Sequence, residues 1–399
     1  MQRTNAVFAG LGTSVFETMS RLAREHQAIN LGQGFPDDRG EADVLAKAAE
    51  ALLTGWNQYP PMLGLPELRR AVAAHDRDFY GLEVDWEREV MVTSGATEAL
   101  TAALLGLVEP GDEVVLFAPA YDSYAPMLRR AGAVPRWVNL YPPDWSFDRA
   151  ALARAFSPRT KLVLLNNPLN PAAKVFTRAE LELIAEFVDG ADAYAVCDEV
   201  YEHIVFDGRV HVPLITLPGM RERCLKIGSA GKTFSLTGWK VGYVTAAPPL
   251  IAAAAKAPQF IVFTPPPHLQ AAVAHGLAKP TAYFTGLAAE MQRRRDRLAE
   301  GLAALGMPGL PCQGTYFLNI DRRAVPLGWN DVADDVAFCE RLIRDVGVAA
   351  IPLSAFYEEA PARDFVRFCF AKQDDVLDAA VARLGRAAGR EPAAPGSRS

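Results

Sequence analysis

The sequence predicts an α/β fold: a large domain on a mostly parallel sheet, joined to a smaller α+β domain. Three observations carry this expectation. Short β-branched runs alternate with helical patterns from about residue 90 to residue 246, as repeated strand–helix units require. Polar, chemistry-bearing residues stand directly after the predicted strands. The alternation stops at Thr264-Pro-Pro-Pro267, where three consecutive prolines interrupt any regular element.

The predicted strands are Val90–Thr93, Val114–Ala118, Leu162–Leu165, Ala193–Asp198, Leu225–Gly228 and Val241–Thr245. Between them, Glu98–Val108 and Arg178–Val188 carry apolar residues at helical spacing. Ligands of such sheets sit outside the carboxyl ends of the strands. Ser94–Thr97, Asn167–Asn170, Asp198–Tyr201 and Ser229–Lys232 occupy those positions. Beyond the prolines, a long charged helix (Tyr283–Leu305) leads to strand-like Gly314–Asn319 and Phe365–Phe370. This divides the chain into a large domain, 30–285, and a small domain, 1–29 with 286–388. Residues 389–399, rich in Pro, Gly and Ser, are expected to form a disordered tail.

Composition narrows the function classes. A formal charge of -6 over 399 residues argues against a surface for nucleic acid or anionic lipid. No window reaches the apolar length of a membrane span, and the N-terminus shows no secretion signal. The five cysteines (197, 224, 312, 339, 369) are odd in number, widely spaced and free of Cys-x-x-Cys pairs. Neither disulfides nor zinc are indicated, and a cytoplasmic setting is expected. The histidines lack metal spacing; His203 and His211 read as packing or surface residues, and no metal is expected.

The most informative stretch is Ser229-Ala-Gly-Lys232-Thr-Phe-Ser-Leu-Thr-Gly-Trp-Lys240, preceded by Asp198-Glu-Val-Tyr201. A lysine among small and hydroxyl residues, with a carboxylate upstream at the end of an apolar run, suits an aldehyde cofactor. The lysine would hold the aldehyde and the aspartate a protonated ring nitrogen. A phosphate loop of the Walker type would need glycine where Lys226 stands. A serine-lysine acyl-enzyme would need partner motifs that are missing. Arg367, in Phe365-Val-Arg-Phe-Cys-Phe370, is a charge in an otherwise apolar strand, and its fork suits a carboxylate. Thr93-Ser-Gly95-Ala96-Thr97-Glu98 joins a strand to a helix and can aim backbone N–H groups at an anion.

On these motifs the chain resembles the class I, fold type I, pyridoxal 5'-phosphate (PLP)-dependent aminotransferases, from about Ser14 to Arg386. Gly32-Gln-Gly-Phe-Pro-Asp37, Tyr121-Asp-Ser-Tyr124, Asp198-Glu-Val-Tyr-Glu-His203, Thr237-Gly-Trp-Lys-Val-Gly-Tyr243 and Gly347-Val-Ala-Ala-Ile-Pro-Leu-Ser354 resemble the branch of methionine and kynurenine/glutamine aminotransferases. The resemblance implies that Lys232 bonds the cofactor and moves the Cα proton. It places Asp198 on the ring nitrogen, Tyr201 and Asn170 on the ring oxygen, and Tyr121 stacked on the ring. Gly95, Ala96, Thr97, Ser229 and Lys240 would hold the phosphate, with Lys240 where the family more often has arginine. Arg367 and the Gly34 amide would bind the substrate carboxylate. Tyr59 would reach a neighbouring subunit's phosphate, implying a homodimer with shared sites. Phe16, and Phe263 from the partner subunit, would wall the side-chain pocket. Asn167-Pro-Leu-Asn170-Pro-Ala-Ala173 departs from the family's Asn-Pro-x-Asn-Pro-Thr-Gly, so the loop is expected to take a conformation alanine tolerates.

The expected activity is ping-pong transfer of an amino group from an L-amino acid (methionine, glutamine or aromatic) to a 2-oxo acid. The alternatives are an N-succinyldiaminopimelate aminotransferase and a cysteine-conjugate β-lyase. A PLP-sensing transcription factor would need a fused DNA-binding domain, and an acyl-transferring PLP synthase fits the Gly32–Asp37 and Arg367 segments less well.

Overall fold

A computed structural model describes residues 5–390; most of the expected tail, 391–399, lies outside the described residues. Twelve strands follow in chain order: β1 Ile29–Asn30, β2 Val90–Thr93, β3 Glu113–Ala118, β4 Val134–Asn139, β5 Thr160–Asn166 and β6 Tyr194–Asp198. The rest are β7 Cys224–Ser229, β8 Gly242–Ala246, β9 Phe317–Asp321, β10 Val348–Ala349, β11 Ile351–Pro352 and β12 Phe365–Cys369.

Seven of them form one sheet in the order β2-β8-β7-β6-β5-β3-β4. Every neighbouring pair is parallel except the two that β8 makes, with β2 and β7. Both faces are covered, and the residues show it. Val115 and Phe117 of β3 enter one core while Val114 and Leu116 enter another. Val163 and Leu165 of β5 divide from Leu162 and Leu164 in the same way. Successive strand side chains point to opposite faces, so a doubly covered strand must be apolar throughout.

Sequence reading missed β4, whose Pro135 and Arg136 disguise it. Among the described residues it pairs only with β3, and an edge strand tolerates proline because one side of its backbone needs no ladder. The helix after β2 runs Gly95–Leu107, beginning three residues before the expected start at Glu98.

The second sheet is antiparallel, in the order β11-β12-β9. Its strand β9 starts at Phe317 rather than Gly314, because Thr315 is left-handed at φ 68°. Parallel pairing of β1 with β10 fixes where the Leu31–Asp37 loop begins. The helix Thr281–Ala304 is tied to the helix Asp374–Ala387 by Arg293–Asp374 and Arg297–Asp378 ion pairs. Among the described residues, no helix is long and apolar enough to cross a membrane.

Candidate active site

The carboxyl ends of β2, β5, β6 and β7 open on a cavity of about 340 Å³. Phe16, Gly34, Gly95, Ala96, Thr97, Tyr121, Asn170, Asp198, Tyr201, Ser229, Lys232, Lys240 and Arg367 all line it. Tyr59 and Phe263 do not. They meet each other at the surface, ring centroids 5.5 Å apart and nearly perpendicular, with Tyr59 85 % exposed.

Lys232 sits in the helical turn Ala230–Thr233 that follows β7. Its ammonium donates to the Tyr316 hydroxyl at 2.9 Å, which in turn donates to the Gly34 carbonyl at 2.7 Å. Burial pulls the Lys232 pKa down to about 8, although Asp198 opposes the shift. Asp198 ends β6, and its carboxylate meets only the Tyr124 hydroxyl (2.5 Å) and the Val200 amide (3.5 Å) among the described residues. Burial raises its pKa against those hydrogen bonds. A buried carboxylate without an ion pair calls for a cationic partner.

Arg367 lies at the centre of β12 and is 1 % exposed. It donates to Asn170 Oδ1 at 2.7 Å and to the Gly32 carbonyl at 3.0 Å, and its Cζ lies 3.9 Å above the Phe317 ring. Its Nε is buried without a partner. Burial lowers its pKa to about 10, so it remains charged near neutrality.

The turn after β2 is shaped by close approach. Gly95 has φ 74°, and a Cβ there would lie 3.0 Å from Lys240 Cε. A Cβ on Gly242 would lie 2.5 Å from the Gly95 carbonyl carbon and 2.7 Å from the Ala96 nitrogen. The first amides of the Gly95–Leu107 helix have no partner within the helix and face a lysine, a site suited to phosphate. Ala173 holds φ 60°, so the loop keeps a left-handed conformation on alanine, contrary to expectation. Its amide bonds Leu169 O, and its carbonyl accepts from Gln313 and Gly314. These bonds hold a conformation that alanine by itself disfavours.

Sequence reading missed Tyr124 and Tyr316. Tyr124 was visible in Tyr121-Asp-Ser-Tyr124 as a motif without a role. Tyr316 gave no signal beyond an aromatic in a strand-like run. Behind the turn after Asp198, His75, Glu202 and His203 come within 4.8 Å of one another. The Lys226 ammonium already supplies their cation, at 2.7 Å from Glu202 and 3.1 Å from Asp76.

Three cationic side chains (Lys232, Lys240, Arg367) face one carboxylate around the cavity. A buried lysine with a lowered pKa, a buried carboxylate without an ion pair and a helix-end anion site suit a phosphorylated aldehyde cofactor with a basic ring. The comparisons give the family. The model for aminotransferase class I and II matches residues 26–384, and the chain belongs to that family, which is PLP-dependent. It is 41% identical to methionine aminotransferase of Escherichia coli, over 94% of this chain and 96% of that one. It is 39% identical to human kynurenine–oxoglutarate transaminase 1, over 91% and 93%. The solved N-succinyldiaminopimelate aminotransferase of Mycobacterium tuberculosis superimposes with a TM-score of 0.92 at 45% identity, covering 96% of this chain and 99% of that one. The fold is therefore fold type I, and the protein is an aminotransferase.

Proposed function

We propose that the enzyme moves the amino group of an L-amino acid with an uncharged side chain (methionine, glutamine or aromatic) to a 2-oxo acid, at sites shared by two subunits. One observation carries the substrate class. Arg367 is the single guanidinium lining the cavity among the described residues, and Phe16, Phe317 and Phe356 enclose it. One carboxylate thus finds a fork, while Phe16, Phe35, Tyr121 and Phe317 give the rest of the cavity aromatic walls.

PLP, when bound, draws electrons from the Cα bond that breaks. Lys232 takes the proton from Cα and returns it. Asp198 holds the ring nitrogen. Asn170 accepts from Arg367 through its oxygen, which leaves its amide N–H groups, with the Tyr201 hydroxyl, to grip the ring oxygen. Tyr121 covers the ring, and Gly95, Ala96, Thr97, Ser229 and Lys240 hold the phosphate. Gly34 and Arg367 orient the substrate carboxylate.

The homodimer is supported by exposed apolar side chains: Leu53, Trp56, Tyr59, Phe260 and Ile261 are each more than half exposed, and Tyr59 packs against Phe263. An apolar surface of this kind suits a second copy, which would bring Tyr59 and Phe263 to its neighbour's site. The pairing of β1 with β10 supports grouping residues 1–29 with 286–388. Five buried, unpaired cysteines support a reducing cytoplasmic setting.

The relative from M. tuberculosis supports a second reading, in which N-succinyldiaminopimelate is the donor. Its distal carboxylate would need a cation beyond Lys232, Lys240 and Arg367, from the partner or from an induced movement. The test mixes PLP-loaded protein with single amino acids, without acceptor, and identifies the products. Release of the matching 2-oxo acid from methionine, glutamine or an aromatic donor is expected. Exclusive reaction with N-succinyldiaminopimelate selects the second reading, and pyruvate plus ammonia from cysteine conjugates selects a β-lyase. Lys232→Ala abolishes cofactor attachment and turnover on this assignment; near-normal activity overturns it.

A further inference from the structure

We infer that Tyr316 is a positioning residue for the reaction: its hydroxyl, oriented by the Gly34 carbonyl, is the seat that holds and aims the free amine of Lys232. The inference rests on Lys232 being the reactive amine.

A phenol offers one donor and a pair of acceptor sites. Tyr316 uses its donor on Gly34 O at 2.7 Å, so only acceptor capacity faces Lys232 Nζ at 2.9 Å. The amine must therefore point an N–H at Tyr316, and the remaining positions on nitrogen face away from that hydroxyl. Because burial holds the Tyr316 phenol well above its ordinary pKa, it keeps its proton and remains an acceptor toward the lysine.

The seat is rigid. Tyr316 is fully buried, with its ring edge-on to Tyr201 (centroids 5.1 Å apart, 87°) and against Phe317 (4.8 Å, 64°). Its carbonyl accepts from the Phe370 amide just beyond β12, and the preceding Thr315 amide bonds Ile204 O. Gly34 comes close because it lacks a side chain; a Cβ there would lie 2.7 Å from Phe317 Cζ. The amine is thus tied through a single hydroxyl to the loop and strand that carry the substrate-binding groups Gly34 and Arg367. An amine free to wander among its rotamers would lose alignment, and misplacement of this order costs up to about 100-fold in rate.

The test is Tyr316→Phe, which keeps the ring and its neighbours and removes the oxygen. In full-length protein freed of PLP, the pH dependence of Lys232 labelling by an amine-reactive reagent is read by peptide mass spectrometry. Loss of an acceptor for a buried ammonium is expected to move the midpoint down by about one to two pH units. In the PLP-loaded enzyme, kcat is expected to fall roughly 10- to 100-fold with KM within about twofold, and the Cα-deuterium isotope effect to rise. An unchanged midpoint with unchanged kcat overturns the inference. So does a fall in kcat matched by a rise in KM at constant midpoint, which would mark a merely structural role. A Lys232→Ala protein that still binds PLP covalently would instead overturn the reading of Lys232 itself, so the two failures are distinguishable.

Discussion

Arg367 shows how much a single residue can declare. A guanidinium inside a strand of phenylalanines is costly unless it has partners, and the structure supplies Asn170, the Gly32 carbonyl and a ring face while leaving Nε unpaired. Lysine cannot reproduce the fork. Arg367→Lys is therefore expected to lower kcat/KM by roughly 10- to 150-fold, the worth of one charged hydrogen bond. Most of the loss should fall on KM, as steady-state kinetics would show. On the proposed assignment, Lys232 sets the pH profile. Burial holds its pKa near 8, so the neutral, proton-accepting amine gains population as pH rises through that value. The rate of Cα deprotonation should climb over the same interval, measured by single-turnover kinetics across pH 6–10; a flat profile would remove Lys232 as the base. Both residues were legible beforehand because each is chemically out of place in its local sequence. Tyr316 was not, since a tyrosine before a strand is ordinary until its hydroxyl is seen against Nζ.

At the scale of elements, the strand–turn–helix after β2 depends on the approach of β8. Gly242 has no room for a methyl, which would meet backbone atoms of Gly95 and Ala96. Gly242→Ala should push the turn outward and weaken PLP binding by at least about tenfold, the factor that corresponds to 1.4 kcal/mol. Equilibrium titration of PLP checks this, and unchanged affinity would show that the turn does not carry the phosphate. The major strands of the parallel sheet were readable because burial on both faces makes them continuous apolar runs. β4 was not, because its burial is partial and proline is permitted at an edge. The left-handed Ala173 was equally unreadable, since its hydrogen bonds to the Leu169 carbonyl and from the Gln313 and Gly314 amides override the preference of alanine.

For the molecule as a whole, the buried charges behind the site make stability depend on pH. Lys226 lies between Asp76 and Glu202, with Tyr80 donating to Glu202 at 2.6 Å and Thr245 to Asp76 at 2.6 Å. Burial raises the pKa of both carboxylates, yet the attraction of Lys226 and its neighbours leaves each below the ordinary range. Their stabilising contribution is complete above the unfolded carboxylate pKa of about 4 and is lost as pH falls through the depressed folded-state values. Lys226→Met strands two buried carboxylates and should cost about 3–5 kcal/mol. Chemical denaturation at pH 7 checks the loss, and a change below about 1 kcal/mol would show that the cluster rearranges freely. The sequence by itself determined the alternation of strands and helices, and it marked the lysine, the aspartate and the arginine as candidate site residues. These are written in periodicity and in residue types that are costly without a partner. Only the tertiary structure decided that Tyr316 meets Lys232, that Tyr124 meets Asp198, and that one lysine bridges a buried acidic pair. Those contacts join positions 24 to 150 residues apart, and no local pattern encodes a distance between side chains that folding alone brings together.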